Sequence, residues 1–67
     1  MYTAYADDIF RFILAHTRDV ELSEDITADT FSKAWQKLDS FDGKHERGWL
    51  YKIAQNKMAD HWRKKRL

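Results

Sequence analysis

The sequence feature that most restricts the fold is a helical spacing of apolar residues, which recurs three times along 67 residues. The first run has the i, i+3, i+4, i+7 spacing of one helical face, with Ala6, Ile9, Phe10, Ile13 and Leu14. The chain contains no proline and only two glycines, so little in it opposes long helices. We therefore predict an all-α fold: a single domain, a compact three-helix bundle, with helices over about 4–17, 20–38 and 48–65.

The apolar pattern is interrupted after the first run and then resumes twice, which predicts the second and third helices. Asp19 directly precedes the second periodic run, so we expect it to be the N-cap residue of that helix. The residues expected to be buried in the second helix are Leu22, Ile26, Phe31, Ala34, Trp35 and Leu38. Those expected to be buried in the third are Trp49, Leu50, Ile53, Ala54 and Met58. Both Trp35 and Trp49 are thus predicted to lie in the core.

Residues 39–47 lack periodicity and predict an irregular loop between helices two and three. The dipeptide Asp42–Gly43 is a turn signal. Phe41 is the one large apolar side chain of this segment, and we expect it to anchor the loop.

The charged residues are divided unevenly along the chain. Residues 1–42 carry four basic and nine acidic residues, a net charge of −5, whereas residues 43–67 carry eight basic and two acidic residues, a net charge of +6. A solvated surface ordinarily mixes both signs, although a basic tail that only adds solubility is the simpler interpretation. The division favours two partners of opposite charge preference.

Several classes of protein are disfavoured by the residues present. The chain has no cysteine, and its three histidines lack metal-ligand spacing, so we expect neither a structural metal nor a cofactor. The carboxylates of the second helix have no histidine or cysteine partner on their face, and no phosphate-binding or catalytic motif occurs, so we predict no enzyme. No apolar stretch is long enough to span a bilayer, and we expect a cytoplasmic protein.

Two strings, in order, resemble a known family. Residues 22–35 read LSEDITADTFSKAW, similar to the LAEDLVQETFLRAW signature of extracytoplasmic-function (ECF) sigma factors, which belong to the sigma-70 superfamily. Residues 49–66 read WLYKIAQNKMADHWRKKR and resemble the WLYRIARNLALDHLRRRR string of the same family. The resemblance covers residues 5–66 and implies region 2 of such a factor. That domain binds RNA polymerase core and opens the promoter at its −10 element.

The resemblance implies a polymerase-binding surface on the outer face of the second helix, directed at the clamp helices of the largest subunit. Its candidate residues are Glu21, Asp25, Ala28, Asp29, Ser32 and Gln36. It also leaves room for an anti-sigma factor as a further partner.

The DNA partner implied by the resemblance is the non-template strand of the −10 element, held by the loop and the third helix. Candidates for a pocket around one unstacked base are Ser40, Phe41, Asp42, Lys44 and His45, with Asn56 from the helix. Candidates for phosphate contacts are Lys52, Arg63, Lys64 and Arg66. An alternative for Asn56 is a local hydrogen-bond network between the helix and the loop. Asp60 and Arg63 have the spacing of an i, i+3 ion pair.

Two other functions remain open at this point: a free-standing helical DNA-binding domain and a helical protein-interaction bundle. A helix-turn-helix reader needs a short turn before its recognition helix, whereas a longer loop precedes Trp49 here. A purely structural bundle does not explain why the acidic residues lie in the first part of the chain and the basic residues in the last.

Overall fold

The computed structural model describes the backbone of residues 2–66 and the side chains of residues 5–63. It contains three helices, α1 (Tyr2–Thr17), α2 (Val20–Gln36) and α3 (Glu46–Arg66), with a 3-10 turn at Leu38–Ser40 after α2. These elements confirm the predicted all-α three-helix bundle with an irregular segment before the last helix. Four boundaries differ from the prediction: α1 begins two residues earlier, α2 ends two residues earlier, and α3 begins two residues earlier and ends one residue later.

A two-residue turn joins α1 to α2, and Asp19 within it is the N-cap residue of α2, as predicted. The Asp19 carboxylate accepts a hydrogen bond from the Leu22 amide at 3.1 Å, which satisfies one of the free N–H groups at the start of α2. Arg18, with φ of +56°, reverses the chain direction. The hydroxyls of Thr17 and Ser23 lie 2.6 Å apart and tie the end of α1 to the first turns of α2. The short connection folds α2 back along α1.

The core lies where the three helices meet. Its buried apolar residues are Ile9 and Ile13 of α1, Ile26, Phe31 and Ala34 of α2, and Leu50, Ile53, Ala54 and Met58 of α3. Tyr51 and Trp49 are partly buried against this cluster. The edge of the Phe12 ring meets the Tyr51 ring, with centroids 4.8 Å apart, so α1 and α3 are also in contact.

The prediction that Trp35 and Leu38 are buried is wrong. Trp35 is 75% exposed, and Leu38, beyond the end of α2, is 37% exposed. The buried face of α2 instead includes two hydroxyl residues, Ser23 and Thr30, each fully buried.

Hydrogen bonds explain how these hydroxyls are accommodated. Thr30 Oγ1 donates to the Ile26 carbonyl at 2.8 Å, and Ser23 is bonded to Thr17, so neither hydroxyl is buried without a partner. Because these polar positions belong to the core, the buried face is rotated away from Trp35. None of the helices in the described part of the chain has the length and hydropathy needed to cross a membrane.

Candidate functional site

The six residues predicted to bind polymerase form one surface on α2. All six are exposed: Glu21, Asp25, Ala28, Asp29, Ser32 and Gln36. Their spacing keeps them within one broad face of the helix. The buried residues Ser23 and Thr30 lie on the opposite side. We refer to these six residues as the α2 face.

A cleft of about 400 Å³ borders the α2 face on the side of α3. Asp25, Ala28 and Asp29 line it from α2, and Lys57, Asp60 and His61 line it from α3. His61 Nε2 is buried and has no hydrogen-bond partner within the described residues. Three carboxylates, of Asp25, Asp29 and Asp60, are thus concentrated in this cleft. The side chains that α3 contributes to it were not predicted as part of the polymerase-binding surface. Within residues 5–63, no three histidine or carboxylate side chains cluster as metal ligands.

A second groove, of about 470 Å³, adjoins the other side of the α2 face. It is lined by Ala28, Phe31, Ser32, Trp35 and Gln36, and the exposed Trp35 ring is its largest apolar group. Trp35 was predicted to lie in the core and is instead a surface residue. The helical spacing indicates this exposure. Trp35 is seven positions after Ala28, about 20° short of two full helical turns, so the two residues share one face.

The loop before α3 is fixed by an aromatic stack and by two local hydrogen bonds. The Phe41 ring is stacked on the Trp49 ring, with centroids 4.3 Å apart, which confirms that Phe41 anchors the loop. Ser40 Oγ donates to the Lys37 carbonyl at 2.9 Å, and the Lys44 amide donates to Asp42 Oδ1 at 2.8 Å.

The backbone of this loop turns at Gly43, where φ is +82°, and again at His45, where φ is +56°. The first of these confirms the turn predicted at Asp42–Gly43. His45 is a non-glycine residue in the left-handed region, and its carbonyl accepts the Trp49 amide at 2.9 Å to begin α3.

Six of the predicted DNA-binding residues line one cleft of about 410 Å³. They are Ser40, Phe41, Asp42, Lys44 and His45 of the loop, and Lys52 of α3. Trp49 and Gly48 complete its lining. We call this the loop cleft. It combines an aromatic wall with hydroxyl, carboxylate, ammonium and imidazole groups, which is a set able to contact both the face and the edge of a base.

The remaining predicted DNA-binding residues lie elsewhere on α3. Asn56 is exposed, one turn beyond Lys52, and lines a different cleft together with Arg63. Its amide makes no side-chain hydrogen bond within the described residues, so the predicted alternative of a local network with the loop has no contact to support it. Arg63 forms the expected ion pair with Asp60. The side chains of Lys64 and Arg66 lie outside the described residues.

Comparison with known proteins identifies the family. All residues, 1–67, match the family model for sigma-70 region 2. The chain is 36% identical over 64 residues to the ECF RNA polymerase sigma factor SigM of Bacillus subtilis, covering 96% of this chain and 39% of SigM. It is 32% identical over 68 residues to the ECF RNA polymerase sigma factor BldN of Streptomyces coelicolor, covering 98% of this chain and 26% of BldN.

A third relative, the RNA polymerase sigma factor NccH of Alcaligenes xylosoxydans xylosoxydans, is 53% identical over 38 residues, which cover 55% of this chain and 20% of NccH. The chain thus spans less than two fifths of the length of these relatives. No solved structure matches the chain significantly. From the match over its whole length, the chain belongs to the sigma-70 region 2 family, and to its ECF branch.

Proposed function

We propose that this chain is the region 2 module of a cytoplasmic sigma factor, which binds RNA polymerase core and recognises and opens the −10 element in transcription initiation. The observation that carries the proposal is the presence, on one small bundle, of an exposed acidic α2 face and a separate polar loop cleft followed by basic residues of α3. Membership in the sigma-70 region 2 family supports RNA polymerase core and promoter DNA as the two partners. The module needs no cofactor and no catalytic residue for this role.

For the polymerase, the α2 face offers both charge and an apolar anchor. Asp25 and Asp29 lie one turn apart in the cleft that α2 forms with α3, and the exposed Trp35 lines the groove on the other side of the α2 face. Complementary charge speeds encounter and fixes orientation, while an exposed aromatic residue that becomes buried commonly dominates binding energy. We infer that the clamp helices of the largest subunit bind across this face and cover Trp35.

For DNA, the loop cleft captures one base of the non-template strand. Unstacking a base costs a few kcal/mol, and stacking on an aromatic side chain returns about 1–3 kcal/mol per base. The loop cleft provides the Phe41 and Trp49 rings as such a wall, already held in place by their mutual stacking. Strand opening then results from capture of the unstacked base, without hydrolysis of ATP.

The proposal is tested by measuring the affinity of the chain for core polymerase with three variants. Asp25→Arg and Asp29→Arg reverse charges on the α2 face, and we expect each to lower affinity at least tenfold, with unchanged circular dichroism, because both side chains are exposed. Glu24→Arg is the matched control, since Glu24 is an exposed carboxylate of the same helix that lines a groove against α1. Equal affinities for wild type and all three variants would contradict the polymerase part of the proposal.

A further inference from the structure

The first turn of α3 is joined to α1 by Arg47. Arg47 Nη2 lies 3.1 Å from Asp8 Oδ2, so a guanidinium of α3 is paired with a carboxylate of α1. The same guanidinium lies over the Tyr51 ring, 5.6 Å from its centroid. The Tyr51 ring in turn meets the Phe12 ring of α1. Arg47 therefore combines an ion pair and an aromatic contact at the junction of α1 and α3.

The Asp8–Arg47 pair differs in kind from its neighbour on α1. The Asp7–Arg11 pair is local, because its two residues are four positions apart on one helix. A local pair supports only the helix that contains it. The Asp8–Arg47 pair instead restrains one helix relative to another.

The α1 contacts and the loop cleft use adjacent rows of α3. Arg47 and Tyr51 form one row, and Gly48 and Lys52 form the next, which is rotated by about 100° around the helix axis. The first row contacts α1, whereas the second row lines the loop cleft together with His45. A rotation of the first turn of α3 that breaks the α1 contacts would therefore also move this wall of the loop cleft.

We propose that Arg47 is a positioning residue for base recognition: through Asp8 and Tyr51 it holds the first turn of α3 in the rotation that the loop cleft requires. This inference rests on the proposed function, because it concerns the base that the loop cleft captures. Arg47 is not among the residues that line the loop cleft, so its effect passes through the α3 residues that do. The aromatic stack holds the loop side of the cleft, and Arg47 holds the α3 side.

The competing role for Arg47 is a direct phosphate contact, since its side chain is 60% exposed. The two roles predict opposite effects of Asp8→Asn. This substitution frees the guanidinium and makes the net charge more positive by one, so a phosphate contact would strengthen binding to any DNA strand. A positioning residue that loses its partner instead loses discrimination between strands.

The test measures the affinity of the chain for two labelled single-stranded oligonucleotides of equal length: a −10 sequence selected on the wild type from a random pool, and oligothymidine. The ratio of the two affinities measures discrimination. Asp8→Asn should lower this ratio about two- to fivefold, because an exposed ion pair changes an equilibrium constant by at most about fivefold. Arg47→Met, which also removes the contact with Tyr51, should lower the ratio at least as much.

Asp7→Asn is the matched control, since it makes the same change of charge one residue away and breaks only the pair with Arg11 inside α1. It should leave the ratio unchanged. The exchange Asp8→Arg/Arg47→Asp restores a pair of opposite charges, and its ratio should exceed that of Arg47→Asp alone. Circular dichroism and thermal unfolding verify that each variant is folded at the temperature of the measurement.

The outcomes separate this inference from the proposed function. If the wild type discriminates and both Asp8→Asn and Arg47→Met keep its ratio, Arg47 is not a positioning residue and the proposed function stands. An equal gain of affinity for both oligonucleotides in Asp8→Asn would make Arg47 a phosphate contact and overturn the inference, as would an equal loss of ratio in Asp7→Asn. If no sequence is selected on the wild type, the proposed function is contradicted together with this inference.

Discussion

The ring of Phe41 lies against the ring of Trp49, with centroids 4.3 Å apart and ring planes 19° from parallel. Trp49 in turn packs against the core, so this stack connects the loop to the folded bundle. The loop residues beside it are exposed and are otherwise positioned by local hydrogen bonds. The position of the loop against the bundle therefore depends on this aromatic contact.

Removing that contact should loosen the loop and leave the bundle folded. Phe41→Ala is expected to cost about 1 kcal/mol beyond the reduced burial, the usual value of a stacked aromatic pair. Hydrogen exchange of the Ser40–His45 amides should quicken, while exchange in α1 and the centre of α2 changes little. Phe41→Tyr preserves the stack and is the control. Unchanged exchange in the loop of Phe41→Ala would show that other contacts hold it.

Trp35 and Trp62 provide a matched pair of exposed tryptophans, 75% and 41% exposed. Because Trp35 contributes little to the core, Trp35→Ala should change the free energy of unfolding by less than about 0.5 kcal/mol. Its affinity for core polymerase should nevertheless fall at least tenfold, whereas Trp62→Ala should keep polymerase affinity. A large loss of stability in Trp35→Ala, or equal affinities for both variants, would contradict the role given to the Trp35 groove.

Substitution of Asp19, the N-cap residue of α2, should change the free energy of unfolding in a known direction. Asp19→Ala removes the acceptor for the Leu22 amide and should lower the free energy of unfolding by about 1 kcal/mol. Asparagine is in general as good an N-cap residue as aspartate, so Asp19→Asn should be nearly neutral. Thermal unfolding of the three proteins decides between these values. A neutral Asp19→Ala variant would mean that the start of α2 is held by the Thr17–Ser23 contact alone.

The two positive-φ residues of the loop should respond in opposite directions. The left-handed conformation costs a non-glycine residue about 1–2 kcal/mol, so His45→Gly relieves strain and should stabilise the fold by up to about 1 kcal/mol. Gly43→Ala introduces that cost, even though no atom within 4 Å obstructs the added methyl group. If His45 also contacts DNA, His45→Gly should bind the −10 oligonucleotide more weakly despite its higher stability. Loss of stability in His45→Gly would contradict the strain argument.

The helices, the Asp19 cap and the Asp42–Gly43 turn were predictable because each depends on residues close together in sequence. The family was also predictable, since its two strings occur in order within residues 22–66. Membership in this non-catalytic family confirms the prediction that the chain is not an enzyme. The exposure of Trp35 was missed because Ser23 and Thr30 were not recognised as core residues. Their burial depends on hydrogen bonds to Thr17 and Ile26, which an apolar periodicity does not reveal.

The candidate DNA site was predictable only in part. The loop residues and Lys52 lie together because a loop and the helix that follows it are necessarily close. Asn56 was grouped with the loop, whereas the structure places it in a separate cleft that Lys33 and Lys37 also line. That grouping depends on how the end of α2 packs against the middle of α3, a tertiary contact that the sequence pattern did not determine.

Recognition of the −10 element is tested most directly by measuring the affinity of the chain for single-stranded oligonucleotides that differ at one −10 position each. The account predicts a clear preference in the wild type. Asn56→Ala should lose about 1–3 kcal/mol at one position only, because an amide that donates and accepts distinguishes one base edge. Its thermal stability should be unchanged, since the Asn56 side chain is exposed. A uniform loss at every position, or no preference in the wild type, would contradict base recognition by this domain.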